Sequence, residues 1–301
     1  MDYRKLRYFR AVAEERSFHQ AADTLSVSQP ALTRAIKELE TELGVRLFVR
    51  HSRGVDLTKE GTILLSHAKR LIRDFEVAHN AVMALGAEPR GLVSIGVPPS
   101  LSLPLLPRLA VRISASWPDI VLNFHERLMP DLLGMIEADR LDIAVVGNPR
   151  RSQRVNFVPL VEEEVILVAH TRFAVPECLT VASLHNYPLV VSGSGMDSFS
   201  WFEEAVHDRT VMQSTRFRVE SPPLSIALAK SGLACAILPR STLLDNSAHP
   251  ELRISVIEDI KLRRYLATSA ERAQSPAVEV VLKILREEFE LLIQEGMFGR
   301  R

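Results

Sequence analysis

Through the first 58 residues apolar positions recur at helical spacing between charged and polar ones, with no strand-like alternation before the 40s. Ser17 opens the first legible pattern. Its hydroxyl can accept from the first turn of a helix and Gln20 can reach back, the reciprocal arrangement of a capping box. The helix that follows turns Phe18, Ala21, Ala22 and Leu25 inward. Ser26 and Val27 make a tight turn, Ser28 is the next N-cap, and Pro30 is tolerated in a first turn whose amides lack partners. Over residues 28–44, Leu32, Ile36 with Ala35, Leu39 and Leu43 recur at three and four, which predicts one buried face, and Gly44 stops the helix.

The period then changes. Val45, Leu47 and Val49 alternate, which predicts a strand buried on one side, and Ser52-Arg53-Gly54 is a turn signal, so a β-hairpin is expected. Thr58 caps a helix over residues 59–87. In it Leu64, Ala68, Leu71, Phe75, Ala78, Val82 and Leu85 keep a period of 3.5, the seam of a coiled coil; a long helix packed on its own domain is the other reading. Glu88-Pro89-Arg90-Gly91 breaks that helix. Strand 92–97, helix 104–115, strand 119–126, helix 129–138 and strand 141–147 follow. A second such unit has strands at 161–170, 187–192, 215–220 and 234–239 and helices at 197–207 and 221–232. A return strand at 265–269 precedes the last helix, 277–295. Strands alternating with helices imply a mostly parallel α/β sheet, and two such units with a late return make a two-lobed clamp. The fold class is α plus α/β.

Length and charge narrow the function. The 301 residues suggest about two domains. Lys and Arg balance Asp and Glu at 37 each, so a nucleic acid must be met by a local patch. One such patch exists. Residues 45–55 hold Arg46, Arg50, His51 and Arg53 and no acid, and the helix before them places Gln29, Thr33 and Lys37 at i, i+4 and i+8 beside Pro30 and Arg34. One amphipathic helix alone would read as a solvated face. A short helix, a tight turn, a polar second helix and a basic hairpin together read as a winged helix-turn-helix on double-stranded DNA. A pair of reading helices would cover two half-sites about 34 Å apart, so a homodimer is expected.

Other classes fall away. The opening MDYRKLRYFR is charged, and the apolar run 92–107 carries Pro98, Pro99, Pro104 and Pro107 and is too short to span a bilayer, so a cytoplasmic protein with no membrane partner is expected. Cys178 and Cys235 are too far apart for a metal or CxxC motif, so buried reduced thiols are expected ahead of a redox pair, with no metal and no cofactor. His125 and His170 lack the partner motifs of hydrolases, and SGSGM at 192–196 lacks the spacing of a nucleophile elbow, which argues against an enzyme. Ser100 and Ser102 stand between a strand and a helix, where amides and the positive helix end favour an anion; an ordinary N-cap is the other reading.

SFHQAADTLSVSQPALTRAIKELETELGVRLFVR followed by RGVDLTKEG resembles the N-terminal signature of LysR-type transcriptional regulators, closely over residues 6–61. GLVSIGV, LLPRL, WPDIVL, RLDIAVV and SGLACAILPRS follow in the order of that family's effector domain, and the chain loosely resembles the nitrogen-assimilation-control type of member. The resemblance implies residues 1–58 as a winged helix-turn-helix, 59–89 as a linker helix, and 90–301 as a sensor similar to periplasmic binding proteins. In the sensor, lobe I comprises about 90–161 and 267–301 and lobe II about 162–266. It implies DNA contact by Ser28, Gln29, Pro30, Thr33, Arg34, Lys37 and Arg50, with Arg53 at the minor groove. Gln29 suits adenine, Arg34 guanine or phosphate, and Lys37 phosphate. The seam assigns dimerisation to Leu64, Leu71, Phe75, Ala78, Val82 and Leu85, and the resemblance implies a tetramer, built as a dimer of dimers, with RNA polymerase as an expected partner. A small-molecule effector would meet Ser100 and Ser102, with Ser192, Ser194 and Ser221 on the other lobe. Asp139 departs from the glycine usual there. A regulator of this fold that works without an effector, its clamp serving tetramer assembly, is the alternative.

Overall fold

The computed structural model describes residues 1–51, 54–83, 88–192, 202, 209–243, 250–272 and 274–299. The chain forms two units, Met1–Ala87 with Arg272–Ser275, and Glu88–Glu271 with Pro276–Arg301.

The first unit runs α1 (Tyr3–Glu15), α2 (Phe18–Thr24), α3 (Gln29–Leu43), β1 (Phe48–His51), β2 (Gly54–Leu57) and α4 (Lys59–Met83). Helix α1 precedes the first pattern that is legible in the sequence. Asp2 caps it by accepting from the Lys5 amide at 2.8 Å, and Leu6, Phe9 and Val12 turn into a core with Ala21, Ala22, Leu32, Ile36, Leu39, Leu47, Phe48 and Val55. The Phe48 ring lies 5.2 Å from Phe9 and 5.8 Å from Phe18, centroid to centroid.

The alternation expected at 45–49 is wrong: Val45 and Val49 are exposed, and the adjacent Leu47 and Phe48 are buried. Pairing begins only at Phe48, so Leu47 lies in the irregular approach, where a period of two has no force. Glu40 Oε1 accepts from the Leu47 amide at 2.7 Å, and the Leu47 carbonyl accepts from Thr58 N at 3.0 Å. Leu43, expected inside, is also exposed. In α4, Leu64, Leu65, Ala68 and Ile72 pack on the unit's own core, while Leu71, Phe75 and Ala78 are exposed and Phe75 stacks on Tyr3 at 4.1 Å. The Val82 side chain and Leu85 lie outside the described residues.

The second unit runs β3 (Gly91–Val97), α5 (Pro99–Ser116), β4 (Ile120–Glu126), α6 (Met129–Glu137), β5 (Ile143–Gly147) and β6 (Val155–His170). It continues through β7 (Cys178–Leu179), β8 (Leu189–Ser192), α7 (Arg209–Gln213), β9 (Thr215–Val219), α8 (Pro222–Lys230), β10 (Cys235–Pro239), β11 (Leu252–Ser269) and α9 (Pro276–Gln294). Sheet order is β4-β3-β5-β11-β6-β10-β8-β9, with β7 beside β11.

Within each lobe the strands are parallel, β3 with β4 and β5, and β8 with β9 and β10. The mostly parallel sheet fails in the middle. Strands β6 and β11, 16 and 18 residues long, pair antiparallel with each other and with β10 and β5. They carry the chain from one lobe to the other and back, so they must run in opposite senses. Lobe I packs Val93, Ile95, Leu101, Leu105 and Leu109 on Val281, Leu285 and Phe289; lobe II packs Val165, Leu167, Leu189, Val191 and Ile237. The helix expected at 197–207 lies, Phe202 excepted, outside the described residues.

Two local departures fall in lobe I. Helix α5 begins at Pro99, five residues before the expected start, with Pro104 and Pro107 inside it, so Ser100 and Ser102 sit in its first turn and not in a loop. Asp139 takes φ 53°, the left-handed value a glycine would supply, and its amide donates to Ile136 O at 3.0 Å. Aspartate enters that region more readily than most residues, so the turn closes without glycine.

Candidate DNA-reading face and effector cleft

In the first unit Ser17 Oγ accepts from Gln20 N at 3.3 Å and starts α2, and Ser26 at φ 54° turns the chain into α3. Ser28 occupies the N-cap of α3, its carbonyl taking the Leu32 amide at 3.1 Å while its side chain makes no cap bond. Leu32, Ile36 and Leu39 hold the inner face. Gln29, Pro30, Arg34 and Lys37 are exposed opposite, and Thr33 is half-buried beside them. Among the described residues the Arg34 side chain, 83% exposed, reaches only Glu38, one turn on, at 3.1 Å.

The hairpin is pinned rather than free. β1 and β2 pair antiparallel from Phe48↔Leu57 to His51↔Gly54, and Val55 N donates to Arg16 O at 3.2 Å. Thr58 Oγ1 donates to Arg46 O at 2.8 Å and accepts from Gly61 N at 2.9 Å, so one threonine ties wing to α4. A Cβ at Gly61 would lie 2.2 Å from the Leu47 carbonyl, which is why this crossing takes glycine. Lys37, Thr41, Arg46 and Val49 line a groove between α3 and the wing. Arg50 pairs with Val55 through its backbone, and Arg53 lies outside the described residues.

In the second unit the first turns of α5, α6 and α8 converge on one cleft. Pro98, Pro99, Ser100, Leu128, Met129, Glu220 and Pro222 line it from those turns, and Val145, Val146, Leu238 and Leu262 give it apolar walls. Its cavity volume is about 70 Å³. None of the three helices has a side-chain cap, so three positive helix ends face the space.

Ser100 is buried and its Oγ accepts from Arg264 Nη2 at 2.9 Å. Arg264 Nε donates to Glu163 Oε2 at 2.7 Å, and Glu163 Oε1 accepts from Ser241 N at 2.6 Å. One buried chain of bonds therefore runs from α5 in lobe I, across both long strands, to the turn after β10 in lobe II.

The other four serines expected here fare differently. Ser102 Oγ donates to Pro99 O at 3.0 Å. Ser221 is exposed at the N-cap of α8, and its carbonyl accepts from Ser225 N and Oγ; Ser225 is the one that lines the cleft. Ser192 closes β8, and its side chain and all of Ser194 lie outside the described residues. Arg264, Glu163 and Ser225 were missed. Arg264 sits in a stretch of β11 that alternates charged and apolar residues, and nothing local separates it from Arg263, which is exposed and paired with Glu162 at 2.7 Å.

Residues 3–62 match the family model described as bacterial regulatory helix-turn-helix protein, lysR family, and residues 86–290 match the LysR substrate binding domain. The chain belongs to the LysR family of transcriptional regulators. Among LysR-family relatives it is 30% identical over 245 residues to the DNA-binding transcriptional dual regulator OxyR of Escherichia coli K12, spanning 79% of each chain. It is 29% identical over 296 residues to the nitrogen assimilation regulatory protein nac of the same strain, spanning 93% of this chain and 95% of that one.

Two solved LysR-type structures share the fold. A full-length OxyR variant of Pseudomonas aeruginosa superposes with a TM-score of 0.74 at 22% identity, covering 97% of this chain and 95% of that one. Full-length CbnR in complex with its target DNA gives 0.66 at 23%, covering 96% and 100%. The chain is thus a DNA-binding transcription regulator with an effector-type domain, not an enzyme. Among the described residues no three His, Cys, Asp or Glu gather as a metal site, and no helix is long and apolar enough to cross a membrane.

The cysteine expectation needs correction. Cys235 is buried, and burial pushes its thiol up to about 12, but Cys178 is exposed. Its place in the two-residue strand β7, whose only other residue, Leu179, points inward, leaves the thiol outside.

Proposed function

We propose that this LysR-type regulator reads an inverted-repeat operator through Gln29, Thr33, Arg34 and Lys37, with Ser28 and Pro30 against the backbone and Arg50 and Arg53 at the flanking phosphates and minor groove. The observation that carries the reading is the exposed polar N-terminal half of α3 opposite the buried Leu32, Ile36 and Leu39, beside a wing pinned at Thr58. Such a face can enter a major groove while the wing lies over phosphates. Exposed Leu71, Phe75 and Ala78, continued by Val82 and Leu85, are the dimer seam, and two dimers assemble as a tetramer that contacts RNA polymerase in the cytoplasm.

A small anionic effector, held at Ser100 and Ser102 and from lobe II by Ser192, Ser194 and Ser221, shifts how the dimers pack and hence how the DNA bends. Support comes from the three uncapped helix ends and the Arg264–Ser100 bond at one cleft.

In vitro selection of DNA by the full chain, followed by footprinting, tests the reading. An inverted repeat protected on both half-sites is expected. Protection without sequence preference would overturn it, and a DNA bend that no cleft substitution alters would favour the effector-independent regulator.

A further inference from the structure

We infer that Arg264 is the residue that sets the chemical class of the effector, a small apolar monocarboxylate, and that Glu163 is its counter-ion, which holds the guanidinium at the cleft and tempers its pull on the ligand. This rests on the cleft being an effector site and goes beyond it by naming the charged group that reads the ligand, on a strand where no ligand contact was expected.

Arg264 is 3% exposed and lines the cleft. Its Nε is held by Glu163 and its Nη2 by Ser100; Nη1 has no hydrogen-bond partner among the described residues. A guanidinium offers five N–H donors in a rigid fork, so with Nε and Nη2 engaged Nη1 can still donate to an acceptor that enters the cleft. Gly147 ends β5 beside it: a Cβ there would meet Leu262 Cδ1 at 2.8 Å and Nη1 at 3.7 Å, so only glycine leaves this approach to the guanidinium uncrowded.

Glu163 is fully buried and both its oxygens are engaged, one by Arg264 and one by the Ser241 amide, so it cannot turn to meet the ligand. The first turns of α5, α6 and α8 add partial positive charge around the same space, which favours a carboxylate over a neutral carbonyl. Apart from Ser225, whose hydroxyl donates to Ser221 O, the remaining walls, among them Val145, Val146, Leu128, Leu238 and Leu262, are apolar, and a cavity volume of about 70 Å³ suits a short aliphatic body. Glu220 stands exposed at the rim and disfavours a second carboxylate.

The test is the melting temperature of the full chain against increasing propanoate, 2-methylpropanoate and 3-methylbutanoate and their primary amides, at constant ionic strength. Three proteins are compared: wild type, Glu163→Gln, and the double variant Glu163→Gln with Arg264→Met, which removes both charges together so that neither is left buried alone. At least one acid is expected to raise the wild-type Tm while its amide does not. Glu163→Gln, which frees the guanidinium charge, is expected to respond at lower acid concentration. The double variant is expected to lose acid affinity by about tenfold or more, the worth of a charge-assisted hydrogen bond.

Equal acid responses in the wild type and the double variant would sink the role of Arg264 while leaving an effector cleft standing. Equal responses to acids and amides would overturn the carboxylate class. Silence to every acid would overturn the inference, while the DNA-reading function would still stand or fall on its own footprinting. A merely structural Arg264 would change the starting Tm and leave the acid increment as it was.

Discussion

Arg264 Nη2 and Ser100 Oγ, 164 residues apart in sequence, meet at 2.9 Å in a buried cleft. The contact joins the second long strand to the first turn of α5, and Glu163 continues it into lobe II. Whatever displaces that bond acts on both lobes at once.

Removing one half of the buried pair should cost more than removing both charges together. Glu163→Ala leaves Arg264 buried with neither counter-charge nor acceptor and is expected to lower stability by about 3–5 kcal/mol; Glu163→Gln, equally uncharged, keeps one carbonyl for the Ser241 amide and loses somewhat less, and the double variant Glu163→Gln with Arg264→Met, which removes both charges, loses least. Urea unfolding of the variants checks this; equal losses for Glu163→Ala and Glu163→Gln would show that the lost charge, and not the retained carbonyl, carries the effect, and a double variant that loses as much as either would show that the unpaired charge does not.

On the first unit, Arg34→Ala is expected to weaken specific operator binding by about 1–3 kcal/mol and relax preference at one base pair, while Lys37→Ala weakens all sequences alike and lowers the salt slope by about one. Titrations by fluorescence anisotropy at several salt concentrations separate the two. A uniform loss for Arg34→Ala would move it from base to phosphate.

Gly61→Ala places a methyl 2.2 Å from a backbone carbonyl that cannot swing aside. A loss of about 1–3 kcal/mol is expected, the usual cost of overpacking, with weaker operator binding as the wing loses its anchor on α4. Thermal unfolding with wild-type behaviour would mean that the helix shifts freely.

Acid should weaken one surface cluster in a defined window. Glu42 is held down to about 2 by its hydrogen bond from Lys5 and then by one from the N-terminal amine, against an ordinary value of 4.5. A carboxyl lowered by folding stabilises the fold above its unfolded value, and that stabilisation is lost as pH falls through the folded one. The stability gap between wild type and Glu42→Gln is therefore expected to be full above pH 4.5 and to vanish near pH 2. A gap independent of pH would refute the pairing.

Thiol labelling distinguishes the two cysteines. Cys178 is exposed, though desolvation and Glu258 raise its pKa, so it should label slowly at neutral pH and faster as pH rises; Cys235 should label only after unfolding. Two equivalents released from the native chain would contradict the burial of Cys235.

Sequence alone determined the winged helix-turn-helix, because its signals are local. Ser17 and Ser28 mark helix starts, Leu32, Ile36 and Leu39 share a face at 3.6 residues per turn, and the polar residues left over are the candidate reading surface. It also determined the alternating elements of each lobe, whose buried strands are short apolar runs. Where one residue's environment came from a distant segment, the reading failed. Leu47 is inside and Val49 outside because Glu40 and Thr58 hold the approach to the wing. The long strands were legible only in part: β6 from Val161 onward, its start at 155–160 being interrupted by Pro159, and β11 only from Tyr265, its first two thirds mixing charged with apolar residues. Only the tertiary structure decided that Arg264 is buried on Glu163 and Ser100 while its neighbour Arg263 faces solvent. Period and propensity act over a few residues, whereas a buried charge is placed by partners about 100 and 164 positions away.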